Sequence, residues 1–179
     1  MKIAVFGGTG RTGQHLVQQA LEKGHKVVLL ARNPGKLTQK NPGLTMLQGD
    51  VKDAKAVEQT IAGVDAVFSV LGPTSNNSTF EVSQGMTNIL ASMKKQGVRR
   101  LVISAGAGVG DPTDATKLFK HVMNFLLKIM AKNRLADMSQ VVEMVRTSDL
   151  DWTVVRLPML TDDPKTGSVK VAYVGKGMG

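Results

Sequence analysis

The chain contains no cysteine in 179 residues. Disulfides, thiolate metal ligands and a cysteine nucleophile are therefore excluded. Aromatic residues make up only 4%, with one tryptophan and one tyrosine. Acidic residues are also short: 14 Asp and Glu face 23 Lys and Arg, a formal charge of +9. Such an excess can serve nucleic acid, but that role asks for basic stripes interleaved with stacking rings. No such stripe is present, so no nucleic-acid partner is expected. The charge reads instead as a basic surface that draws in phosphorylated small molecules. No apolar run reaches the roughly 18 residues of a membrane span, so no membrane partner is expected. The first apolar run is too short for a signal peptide, and the cytoplasm is the expected compartment. No His, Asp or Glu grouping has metal-ligand spacing.

What is present starts at once. Lys2-Ile3-Ala4-Val5-Phe6 is a short apolar run, followed by Gly7-Gly8-Thr9-Gly10-Arg11-Thr12-Gly13 and then a helix-like stretch. A buried strand needs the apolar residues, and a tight turn needs residues without Cβ atoms. A helix N-terminus then offers free N–H groups and partial positive charge to an anion. The spacing Gly8-x-Gly10-x-x-Gly13 fits the dinucleotide fingerprint, and Gly7-x-x-Gly10-x-x-Gly13 fits the spacing of short-chain reductases.

Strands and helices alternate further along. Apolar runs predict strands at 2–6, 26–31, 44–48, 65–70, 100–104, 152–156 and 169–174. Helical spacing predicts helices at 11–23, 54–61, 79–96, 117–131 and 136–147, with Gly24 and Gly97 as stops. Residues 105–112 read as a small-residue loop. The fold class is α/β: a Rossmann-type, doubly wound, mostly parallel sheet in three α/β/α layers. No linker or repeat interrupts it, so residues 1–179 read as one NAD(P)-binding domain. The last strand lacks a covering helix, which leaves a C-terminus that is frayed, completed by a partner subunit, or shortened.

The second strand ends at Ala31-Arg32, with Lys36 four residues on. An acid at that place would bind the ribose hydroxyls of NAD. A guanidinium instead pairs with the 2′-phosphate of NADP, which a carboxylate would repel. Arg11 adds a third cation. NADP (NADPH) is thus expected in preference to NAD, the alternative being that Arg32 is a solvated surface residue. Asp50, after the third strand, is placed to accept from the adenine amino group or to cap the helix that follows. Gly72, after the fourth strand, lets backbone approach the cofactor. His121 could serve as an acid or base, or be a surface residue. The Met- and Leu-rich stretch 118–130 reads as a buried helix, a substrate lid or a subunit contact, and the chain as a monomer or homodimer.

Together these residues resemble the atypical short-chain dehydrogenase/reductase group, in its NAD(P)H-binding, NmrA-like branch of biliverdin and flavin reductase type. The markers are Phe6 to Gly13, Ala31-Arg32, Gly49-Asp50-Val51, Leu71-Gly72, Gly85-Met86-Thr87-Asn88-Ile89 and Leu150 to Arg156 with Pro158. The resemblance implies strand order 3-2-1-4-5-6-7. It implies that Gly7 and Thr9 to Gly13 hold the pyrophosphate, Arg32 and Lys36 the 2′-phosphate, and Asp50 with Val51 the adenine. Leu71 and Gly72 would line the ribose, while Ser104, Ala105, Pro158 and Met159 would stand near the nicotinamide. Standard members use a Tyr-x-x-x-Lys pair for proton transfer. Here Tyr173 is followed by Lys176, at the wrong spacing, so alcohol–ketone chemistry by that route is not expected. Met159 replaces a histidine of the flavin and biliverdin reductases, and the loop after the fifth strand is glycine-rich, which argues against a bile pigment.

Hydride transfer to a planar acceptor such as a flavin or quinone needs stacking more than a protein acid. The expected activity is therefore an NADPH-dependent flavin or quinone reductase, with Ser104 as the candidate catalytic residue. Alternatively Ser104 is a strand-end hydroxyl bonded to backbone. The competing function is an NmrA-like sensor of NADP(H) redox state without turnover. An epimerase of the extended group would need a proton shuttle and a larger substrate domain, and neither is read here.

Overall fold

A computed structural model describes residues 1–76, 78–106, 108–109, 131–158, 160–161, 167 and 171. Its strands are β1 (Lys2–Phe6), β2 (Lys26–Ala31), β3 (Leu44–Gln48), β4 (Ala66–Ser69), β5 (Arg100–Gly106) and β6 (Asp151–Leu157). Its helices are α1 (Arg11–Glu22), α2 (Ala54–Ile61), α3 (Glu81–Gln96) and α4 (Lys132–Arg146), with a short 3-10 turn at Pro34–Lys36. The strands form one sheet in the order β3-β2-β1-β4-β5-β6. All five neighbouring pairs are parallel. The chain order reverses direction between β1 and β4, the switch point where ligands bind in such sheets. The Rossmann-type expectation is borne out over these six strands. The seventh expected strand, residues 169–174, lies outside the described residues save Val171, as do His121, Met159, Tyr173 and the stretch 118–130.

Strand alternation divides the core in two. Ala4, Phe6, Val28, Leu30, Val67, Leu101 and Ile103 face α2, α3 and α4. Ile3, Val5, Val27, Leu29 and Ala31 face α1, through Val17, Ala20 and Leu21. Both faces of β1 and β2 are thus covered. That is why those strands are continuous apolar runs rather than alternating ones.

The helix ends show how distant parts of the chain are tied together. Asp53 caps α2, accepting from the Lys55 and Ala56 N–H groups at 2.9 and 3.3 Å. Asp50 accepts from the Lys52 N–H at 2.9 Å instead, so the capping role considered for Asp50 belongs to Asp53. Helix α3 starts from Phe80 in the left-handed region, φ 48°, with no cap of its own. For a residue with a Cβ that conformation costs about 1–2 kcal/mol. The missing cap comes from Asp137 of α4, which is buried and accepts from the Val82 and Ser83 N–H groups at 3.1 and 2.8 Å. Helix α4 is capped in turn from outside: the Asn76 Oδ1 accepts from the Asn133 and Arg134 N–H groups, both at 3.2 Å.

These ties account for three corrections. Helix α4 begins at Lys132 rather than 136, because its cap sits on another loop. Helix α3 begins at Glu81 rather than 79. Strand β5 runs on through Ala105 and Gly106, because β6 pairs with it as far as Gly106–Leu157.

Asp137→Ala removes the acceptor for two buried N–H groups and cuts the tie between α3 and α4. Charged, buried hydrogen bonds of this type contribute about 1.5–3 kcal/mol each, and an unmet buried donor adds to the loss. Urea unfolding should show Asp137→Ala at least about 2 kcal/mol less stable than wild type. Asp137→Asn should lie between them. A loss below about 0.5 kcal/mol, the usual range of neutral surface changes, would mean that water replaces the carboxylate.

Candidate functional site

Along the carboxyl edge of the sheet two cavities adjoin. The first, about 270 Å³, is lined among the described residues by Gly7, Thr9, Gly10, Arg32, Lys36, Asp50, Val51, Leu71 and Gly72, with Pro73, Thr74, Glu81 and Val82 beside them. The second, about 440 Å³, is lined by Thr12, Leu71, Gly72, Ser104, Ala105 and Pro158, with Val109, Arg134, Leu135, Met138, Leu157 and Leu160. Val70, Leu71, Gly72 and Pro73 line both. The loop after β4 is therefore the ridge between two halves of one cleft.

The glycine turn is built by close packing. Gly7 has φ +84°, and a Cβ there would meet the Val70 carbonyl at 2.8 Å and the Leu71 nitrogen at 2.9 Å. A Cβ at Gly13 would land on the Gly7 carbonyl oxygen, and one at Gly8 on the Leu29 side chain. Gly10 closes the turn, donating its N–H to the Gly7 carbonyl at 3.0 Å. As the N-cap of α1 it has no side chain to cap with, and the first turn carries no acid. An anion-binding helix end needs that electrostatic character.

Gly72 is different. A Cβ there would meet nothing within 4 Å, so the fold places no demand on it, and its backbone is exposed to the cleft. The Asp50–Val51 side of the first cavity is fixed by α3. Val51 packs onto Gly85, where a Cβ would meet its methyls at 2.5 and 2.7 Å. The Asn88 Nδ2 donates to the carbonyls of Val51 and Lys52 at 2.9 and 3.0 Å. Arg32 and Lys36 are exposed, Arg32 before the 3-10 turn and Lys36 as its last residue.

In the second cavity Ser104 is half-buried within β5, and its hydroxyl makes no hydrogen bond among the described residues. The backbone bond considered for it is thus not seen. Of the expected site residues, Arg11 and Gly13 line neither cavity. Gly13 is spent on packing, and Arg11 is exposed at the start of α1. Met159 lies outside the described residues. Sequence reading missed Arg134 and Leu135, because it began α4 too late, and it placed Met138 on a helix without bringing it to the site. The helical spacing of Leu135, Met138 and Val142 was the available signal.

The nucleotide half thus offers a glycine turn, two cations and a backbone cradle left open by Gly72. These fit a phosphorylated dinucleotide. Comparisons with known proteins agree. The chain belongs to the NAD(P)H-binding family, whose sequence profile matches residues 7–179. An uncharacterised chloroplastic protein of Arabidopsis thaliana is 27% identical over 94% of this chain and 62% of its own length. A (4-alkanoyl-5-oxo-2,5-dihydrofuran-3-yl)methyl phosphate reductase of Streptomyces griseus is 31% identical over 86% of this chain. The chain spans only 46% of that relative. Among solved structures, the anaerobilin reductase ChuY of Escherichia coli O157:H7 superposes with a TM-score of 0.75 at 19% identity, covering 93% of this chain and 77% of that one. A short-chain dehydrogenase/reductase of Veillonella parvula in complex with NADP gives 0.73 at 19%, covering 92% and 72%. At such identities the structures establish the fold. No helix among the described residues is long and apolar enough to cross a membrane.

Gly72 separates folding from binding. Gly72→Val should leave the melting temperature within about 2 °C of wild type, in keeping with a surface change of under about 0.5 kcal/mol. The branched side chain fills the ridge between the cavities, so affinity for the dinucleotide should fall at least tenfold by calorimetry. Full affinity in a normally stable variant would place the ligand away from this ridge.

Proposed function

We propose, for this member of the NAD(P)H-binding family, that it is an NADPH-dependent reductase of a planar acceptor such as a flavin or quinone. The observation that carries this reading is the divided cleft: a glycine-lined half that holds Arg32 and Lys36 as well as Asp50 and Glu81, joined across one backbone ridge to an apolar half. Gly7 and Thr9 to Gly13 would seat the pyrophosphate, with Thr9, Gly10 and Thr12 in contact and Gly13 holding the turn's shape. Arg32 and Lys36 would pair with the 2′-phosphate, and Asp50 would accept from the adenine amino group beside Val51. Leu71 and Gly72 would lie along the ribose.

NADPH supplies a hydride when bound. The overall change is NADPH plus acceptor plus a proton giving NADP⁺ plus the two-electron-reduced acceptor, with the proton drawn from solvent. The protein's own part is orientation and exclusion of water. Ala105 and Pro158 bound the flat slot, and the Ser104 hydroxyl is available to hold a nicotinamide amide or an acceptor carbonyl. No strong acid–base pair lines the apolar half among the described residues, which suits an acceptor that takes its proton from water. The phosphate reductase of Streptomyces griseus and the anaerobilin reductase of Escherichia coli are reductases by name, which supports the reaction class. The cytoplasm is the compartment we propose.

Arg32→Ala should weaken NADPH binding by about tenfold or more, while NADH binding changes by less than about threefold. That is the scale of one charge-assisted contact, about 1.5–3 kcal/mol. An unchanged NADPH/NADH ratio would take Arg32 off the phosphate. Steady-state oxidation of NADPH with FMN, FAD and small naphthoquinones tests the activity. Rates no faster than the uncatalysed mixture would leave a dinucleotide-binding sensor as the better reading. A sensor must bind NADPH and NADP⁺ with different affinity, because a ligand binding both states equally shifts nothing.

A further inference from the structure

Arg134 is the only charged side chain among the described residues that line the apolar half of the cleft. It comes from the first turn of α4, whose backbone is held in place. The Arg134 N–H donates to the Asn76 Oδ1 at 3.2 Å, and the Asn133 Nδ2 donates to the Asn76 carbonyl at 2.9 Å. The guanidinium makes one long hydrogen bond, from Nη2 to the Thr74 carbonyl at 3.4 Å. That is beyond the usual 2.7–3.2 Å for an N–H to oxygen bond. No carboxylate pairs with it among the described residues, in contrast to Arg99 with Asp149 and Arg100 with Asp151. The remaining N–H donors of a five-donor group are thus uncommitted at the mouth of a cavity whose other walls are almost wholly apolar.

Arg134 is exposed, so water screens the guanidinium on its outer side, and only the side that meets the apolar walls is poorly solvated. A neutral ring filling the cavity would strip water from it without repayment. A ring carrying an anion on a short tether would fill the apolar space and give the guanidinium a bidentate partner. Arg134 lines the apolar half and not the nucleotide half, although the Thr74 carbonyl it reaches belongs to a residue of the nucleotide half, so it is a cation additional to Arg32 and Lys36. We propose that the acceptor is an anionic planar molecule. Its ring stacks in the apolar cavity and its phosphate or carboxylate pairs with Arg134, which makes Arg134 a specificity-determining residue. This rests on the acceptor-site reading above and adds the acceptor's charge.

The test compares matched pairs of probes that differ only in the anion. The first pair is FMN and riboflavin. The second is a 1,4-naphthoquinone with and without a carboxymethyl group, which separates phosphate from carboxylate recognition. Dissociation constants are measured by flavin or tryptophan fluorescence on protein saturated with NADP⁺, so that no turnover is needed. In wild type, at least one anionic probe should bind about tenfold tighter than its neutral counterpart. In Arg134→Gln that ratio should fall to near one, and Arg134→Lys should keep part of it. Equal affinities in wild type would overturn the proposal. So would an unchanged ratio in Arg134→Gln, or an equal loss of affinity for NADPH itself, which would put the cation on the cofactor. If FMN binds with the expected preference but is not reduced by NADPH, the anion anchor stands and the reductase reading falls. If FMN and riboflavin bind alike and are reduced alike, the reductase reading stands and the anchor falls.

Discussion

Three stretches of backbone meet at contact distance at the carboxyl end of β1, and the rest of the cleft depends on that meeting. Gly7, at φ +84°, lies against the Val70 carbonyl and the Leu71 nitrogen. The first turn of α1 lies against Gly7 through Gly13, where any side chain would collide with the Gly7 carbonyl oxygen. Close-packed interiors tolerate little such intrusion, and forcing one extra carbon in costs about 1–3 kcal/mol. The glycines thus set how near α1 can come to β1 and how near the β4 loop can come to both. That distance fixes the height of the ridge at Leu71 and Gly72, and so decides where one cavity ends and the next begins. The glycines read in the sequence as places for a ligand to approach are mostly places where the protein approaches itself. Gly72 is the exception, since nothing in the fold fills the space above it.

The parts of the structure that repeat with the period of a strand or helix were legible. β1, β2 and β3 and helix α2 fall where the apolar spacing puts them; β1, β2 and α2 each bury a stripe of their own, while β3 is only partly buried, at Leu44 and Leu47. The starts of α3 and α4 were not legible, because their N-terminal caps are supplied across the fold. Asn76 is 57 residues from Asn133, and Asp137 is 55 from Val82. Local capping rules find Ser, Thr, Asp or Asn next to a helix, and here those residues sit on other elements. The same failure hid Arg134, since a helix begun at residue 136 leaves it in a loop. Sequence reading named lining residues of the first cavity where they stand on local turns, at Gly7, Thr9, Gly10, Arg32 and Asp50. The site was not legible where it depends on which helix leans over the sheet.

The external caps also tie the two halves of the cleft together. Asp137 holds the N-terminus of α3, the helix that carries Gly85 and Asn88 and thereby places Val51 in the wall of the first cavity. Two residues before Asp137 in the same helix, Leu135 helps wall the apolar side, and Met138 follows it. Asn76 pins the first turn of α4 to the loop that forms the ridge. A displacement of α4 therefore cannot alter the apolar cavity alone. It would draw on the capping of α3 and on the loop between the cavities, which is the kind of discrete, hydrogen-bonded linkage through which sites couple.

The chemistry lining the cleft follows the same division. Anions are strongly hydrated, and a site for them needs donors and cations near water. That is what the exposed rim of Arg32 and Lys36 and the open end of α1 provide. A stacked ring needs dry, flat walls and few polar atoms, and the second cavity offers these, with the Ser104 hydroxyl and the Arg134 guanidinium as its polar side-chain exceptions beside Thr12. A reaction that moved protons between protein groups would require paired acids and bases with matched pKa values, and such pairs would have to be buried in the apolar half at considerable cost. Hydride transfer to an acceptor that is protonated by water avoids that cost. The scarcity of titratable groups around Ser104 among the described residues is therefore a property that this proposed chemistry can use.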